Sequence, residues 1–89
     1  MGPGVAVARY TVLLYKDEEE GGYSALIPMF GVATQGETVE EALAMAREAT
    51  ELRIEALIED GEPVLEEDEP PIVASVVVNV PATAPTRDR

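Results

Sequence analysis

The chain has 89 residues, 46% of them apolar, and a formal net charge of −12, which suits one domain and leaves no room for a second. It contains neither cysteine nor histidine, so disulfides, thiolate metal sites and the usual imidazole general base are all excluded. The acidic balance repels nucleic acid and anionic membranes and favours basic partners, although a charged surface also serves solubility alone.

Met1 to Ala8 lacks the basic start and apolar run of a signal peptide, and no stretch supplies the roughly 20 apolar residues of a membrane helix. A cytoplasmic location is therefore expected. Residues 5–16 (VAVARYTVLLYK) are rich in β-branched and aromatic side chains and predict a strand. One face carries Ala8, Tyr10, Val12 and Leu14, the other Arg9, Thr11, Leu13 and Tyr15. Both are fairly apolar, as in a central strand. Asp17 to Gly22 form an acidic hairpin turn, Tyr23 to Ile27 return as a strand, and Pro28, which has no amide to donate, halts it. Phe30 to Thr34 add a short third strand.

Thr38 with Glu41 reads as a capping box, each side chain meeting the other's free amide. The helix that follows runs to about Asp60, a length of about 33 Å. Gly61 supplies its left-handed stop and Pro63 prevents resumption. Val39, Leu43, Ala46, Thr50, Ile54 and Leu57 form a stripe suited to covering the sheet. Met45, Leu52 and Ala56, beside Ala49, form a second stripe to one side, wider than one sheet normally covers. Either a partner or the loop 61–71 would cover it, and the loop offers only Val64 and Leu65. Residues 72–80 (IVASVVVNV) predict a final strand with Ile72, Ala74, Val76, Val78 and Val80 on one face and Val73, Ser75, Val77 and Asn79 on the other. A right-handed helical crossover would return it to the same sheet. The expected class is α+β in the order β-β-β-α-β, with three or four strands and one long helix on one face. Residues 1–80 would form the domain and 81–89 a disordered tail.

No catalytic, metal or cofactor constellation emerges. The acids fall in three groups, Asp17 to Glu20, the wet helix face, and Glu66 to Glu69, and the interiors of both long strands hold no acid. Two-metal hydrolysis needs carboxylates converging from separate elements. A calcium loop needs spaced oxygen ligands, whereas Glu66 to Glu69 is a dense run before Pro70 and Pro71. Ser24 and Ser75 have no base to activate them, and no phosphate-binding glycine pattern occurs. Arg9, Lys16, Arg47, Arg53, Arg87 and Arg89 are too scattered for a nucleic-acid patch. Arginine makes up five of these six cations, and with abundant glutamate this points to a heat-adapted source.

The order of these pieces resembles the N-terminal domain of HicB-type antitoxins. The likeness rests on Tyr10 near the start of a strand, the acidic-glycine turn into Tyr23-Ser24-Ala25, then Ile27-Pro28 and Gly31. It continues through Thr34-Gln35-Gly36-Glu37-Thr38 into Glu40-Glu41-Ala42 and closes on Glu59-Asp60-Gly61-Glu62-Pro63, covering roughly residues 10–63. Met29-Phe30 departs from the smaller or polar pair of the family pattern. The resemblance implies a truncated RNase H-like fold without nuclease carboxylates. Its implied partner is a HicA-type toxin, a small basic ribonuclease whose active surface the antitoxin covers. HicB proteins usually continue into a DNA-binding domain; residues 81–89 provide none, so direct nucleic-acid binding is not expected of this chain.

Two surfaces are candidates for function. Tyr15, Asp17, Glu18, Glu19 and Glu20 would meet the basic toxin. Met45, Leu52 and Ala56, with Val73 and Val77 on the outer face of the last strand, would build a homo-oligomer, a dimer or tetramer that serves a stand-alone binding module. A residual RNase H-type nuclease is a third reading, and it requires carboxylates where the strands supply Tyr, Val, Leu and Asn.

Overall fold

A computed structural model describes residues 7–83 and 85. Asp17 organises the first turn: its Oδ1 accepts the amides of Glu19 and Glu20 at 3.1 Å each. Its own amide donates to the Gly22 carbonyl at 2.9 Å, so side chain and backbone together reverse the chain. The flanking strands β1 (Leu13–Lys16) and β2 (Tyr23–Ile27) pair antiparallel, with Leu13 opposite Leu26 and Lys16 opposite Tyr23. Pro28 ends β2 as expected. The loop 28–31 closes with the Gly31 amide donating to the Ile27 carbonyl at 2.9 Å, and β3 (Val32–Gly36) leaves with Val32 opposite Ile27. The sheet order is β1-β2-β3.

The helix α1 (Val39–Glu59) follows after two residues. The Glu41 amide donates to Thr38 Oγ1 at 3.0 Å. The reciprocal half of the expected box is displaced by one residue, because the Glu41 carboxylate accepts from the Glu37 amide. At the other end Gly61, with φ of 72°, donates to the Ile58 carbonyl at 3.0 Å and Glu62 to that of Leu57 at 2.9 Å. This double bond pattern is a Schellman closure, and the positive φ is why glycine stands there.

The α1 helix packs on β2 and β3 and hardly touches β1. Ala25 and Ile27 from β2 and Ala42 and Ala46 from α1 are fully or almost fully buried, with Tyr10, Val12, Tyr23, Phe30 and Val32 packed around them. Tyr10 and Phe30 stack at a centroid distance of 5.1 Å, tilted by 53°. Alanines on the helix and glycine at the end of β3 let the two layers approach closely. A Cβ on Gly36 would lie 2.7 Å from Ala42 Cα and closer still to its amide nitrogen.

The α+β class and the three-strand-then-helix order match expectation, and five details do not. The first strand is shorter than residues 5–16: Val5 and Ala6 lie outside the described residues, and 7–12 have no ladder partner because β2 stops at Pro28. That strand is also an edge, not the centre, of the sheet. The third strand begins at Val32, two residues late, because Met29, Phe30 and Gly31 are needed to complete the turn. The buried helix stripe is rotated toward Ala42, which lies at the contact with Gly36, while Leu43 stays 41% exposed. Finally, residues 72–80 form no strand and pair with no other described residue, so the expected crossover strand is not part of this sheet. Of the expected tail, residues 84 and 86–89 lie outside the described residues.

Candidate functional site

Alternation along the ladder assigns each strand residue to a face. Ala25 and Ile27 point toward α1, so their cross-strand neighbours Leu14, Thr34 and Val32 share that side. Leu13, Tyr15, Ser24, Leu26, Ala33 and Gln35 then line the opposite face, which no helix covers. Tyr15 is 57% exposed there, and the chain passes from it through Lys16 into the turn that carries Asp17, Glu18, Glu19 and Glu20. The fold therefore brings the five expected toxin contacts together: one aromatic ring on an open sheet face with a carboxylate-rich turn at its end. Asp17 is committed to the turn through its bonds to Glu19 and Glu20, so its place in this group is structural. Leu13 and Leu26, half-buried beside Tyr15, extend the apolar part of this face. Leu13 was visible in the alternation, but Leu26 joins it only once the hairpin register is known.

The second expected surface lies on the helix layer. Met45 is 43% and Leu52 58% exposed, with Ala56 exposed beside them. The loop 61–71 does not cover them. It runs instead to residues 10 and 11, just before β1, where the Tyr10 hydroxyl donates to the Leu65 carbonyl at 2.6 Å. The Glu67 carboxylate there accepts from the Thr11 amide at 2.9 Å and from the Thr11 hydroxyl. Those two bonds, the hydroxyl first and the amide second, hold the Glu67 carboxyl below its ordinary value of 4.5. No local pattern announces a contact between residues 56 apart in sequence. Val73 and Val77, expected to join the helix stripe, are exposed on the unpaired segment instead.

A groove of about 530 Å³ opens on the other flank of the helix, between residues 7–12 and the side of α1 bearing Leu43, Arg47, Thr50 and Ile54. Its walls are mainly apolar, and an exposed Arg47–Glu51 ion pair at 3.4 Å stands on its rim. Among the described residues no group of three or more acidic side chains is placed to hold a metal ion, and no helix is long and apolar enough to cross a membrane.

Comparison with known proteins bears on these surfaces. The family model described as the HicB-like antitoxin of bacterial toxin-antitoxin systems matches residues 10–80. Over 63 residues the chain is 51% identical to the UPF0150 protein ssr1765 of Synechocystis sp., an alignment covering 70% of this chain and 78% of that protein. No solved structure gives a significant match.

Proposed function

Because the chain belongs to the family of HicB-like antitoxins of bacterial toxin-antitoxin systems, we propose that it binds and neutralises a small basic ribonuclease of the HicA type. Family membership points to a toxin-antitoxin role carried out by binding rather than by catalysis. The observation that supports a basic partner is the hairpin end of the open sheet face, where Tyr15 stands beside four consecutive acids. Buried aromatic anchors supply most of the affinity at such interfaces, and rim charges mainly raise the association rate. Tyr15, with Leu13 and Leu26, is thus the anchor, and Glu18, Glu19 and Glu20 steer the toxin's cationic RNA-binding face onto it.

Co-expression with a HicA-type ribonuclease, purification of the complex at low salt and measurement of both rate constants test this. Glu18→Lys combined with Glu20→Lys should slow association about tenfold or more, and Tyr15→Ala should mainly speed dissociation. Absence of a complex at low salt removes the proposal. A second reading, self-association through Met45, Leu52 and Ala56, is supported by the exposure of the two larger side chains. In that reading Leu52→Glu should lower the oligomeric state in sedimentation.

A further inference from the structure

Among the described residues, 72–80 are conspicuously unsatisfied. Ile72 is 90% exposed, Val76 82%, Val77 101% and Val78 66%, and none of their backbone groups joins a ladder. An alternating apolar segment of this length is stable only when a sheet edge and a core receive it. The radius of gyration, 17.3 Å, exceeds the roughly 12 Å of a compacted chain this long, and the longest dimension is 63 Å, about twice the length of α1. The family match extends to residue 80, so the segment belongs to the folded unit.

The same chain carries a vacant place of matching chemistry. The free edge of β1 is one half of it. Asp17 donates across to Gly22, so by antiparallel alternation Leu14 and Lys16 turn their amides and carbonyls outward, where no strand of the described residues meets them. The other half is the groove beside residues 7–12, the stretch that leads into β1, walled by Val7, Tyr10, Val12, Leu43 and Ile54. A strand laid along residues 7–16 would place every second side chain toward the groove. Ile72, Ala74, Val76, Val78 and Val80 provide that alternation.

We propose that the occupant is residues 72–80 of a second copy of this chain, each copy giving its strand to the other's β1 edge and groove. The hinge favours exchange over closure onto the chain's own edge. Glu67 is tied to Thr11 just before β1, and the chain bends at Asp68 and Glu69 before Pro70 and Pro71. Proline fixes φ and holds the preceding residue extended, so the segment leaves in a straight line instead of doubling back. Short, stiff hinges are the ones that drive strand exchange. Reciprocal exchange makes a closed two-fold dimer instead of an open run of subunits. Strand, groove lining and edge together bring about twenty residues from each copy, the number that a stable interface of about 800 Å² per partner uses.

This interface uses the edge of β1 and the groove on the helix side; it borders the open sheet face at Leu13 and leaves the Met45–Leu52 stripe untouched. The natural chain has no cysteine, which allows a clean test. Leu13→Cys is combined in turn with Val73→Cys, Ser75→Cys and Val77→Cys, all on the outer face, and oxidised at micromolar concentration without toxin. At least one pair should give a covalent dimer on non-reducing gels. Val76→Asp with Val78→Asp should sediment as a monomer with the helical circular dichroism of the wild type, while Leu52→Glu should leave the exchanged dimer intact. A wild-type monomer, a disulfide formed only within one chain, or a dimer abolished by Leu52→Glu but not by Val76→Asp with Val78→Asp would each overturn the proposal.

Discussion

Gly36 stands where the sheet and the helix approach most closely, and the atoms facing it are backbone. A methyl group there would sit 2.7 Å from Ala42 Cα, and backbone in the first turn of a capped helix cannot swing aside as a flexible side chain would. Gly36→Ala should therefore destabilise the domain by about 1–3 kcal/mol, the range of an overpacked core, read as a lower urea midpoint. Glu67 gives a different kind of residue-level prediction. Its carboxyl is held below 4.5, first by the Thr11 hydroxyl and then by the Thr11 amide. A depressed folded-state pKa stabilises the protein above the unfolded value, and that contribution is lost as pH falls through the folded one. Glu67→Gln should consequently melt below the wild type at neutral pH, and the gap should narrow as pH is lowered beneath 4.5. A gap that is constant across that range would show that the loop is held by something other than the ionised carboxylate.

Among the elements, α1 was the most legible in the sequence because its ends are decided by near neighbours. Thr38 Oγ1 accepts the Glu41 amide at 3.0 Å, and removing it by Thr38→Ala should cost about 1 kcal/mol, measurable as a shift in the thermal midpoint without change in the sheet. Gly61 and the Asp17 turn were legible for the same reason. Details that depend on how elements meet were not. The helix face turned toward Ala42 because only a small residue fits opposite Gly36, a fact of two surfaces and not of one periodicity. The third strand slid by two residues because the Pro28 turn used the positions that would have opened it. For residues 72–80 the alternation predicts a strand that the structure does not form; pairing needs an edge within reach, and the Glu67–Thr11 contact together with Pro70 and Pro71 sets that reach. The acidic turn was readable as a charge run; that Tyr15 beside it shares a face with Leu13 and Leu26 required the register of β1 on β2.

At the scale of the whole molecule, charge acts in opposite directions on the two proposed associations. Each chain carries −12, so bringing two copies together through residues 72–80 works against mutual repulsion, while a basic ribonuclease is drawn in by the same field. Mobile ions screen both effects over a distance of about 10 Å at 0.1 M salt. Burial of apolar side chains such as Val76 and Val78 is comparatively insensitive to such modest changes in ionic strength. Raising salt from low to moderate concentration should thus tighten self-association of the chain and loosen its complex with the toxin. Sedimentation of the isolated chain and titration calorimetry of the complex, run over one salt series, would give the two slopes directly. Slopes of the same sign would mean that the acidic surface does not govern one of the two contacts, and the contact with the unexpected slope would be the one to reassign.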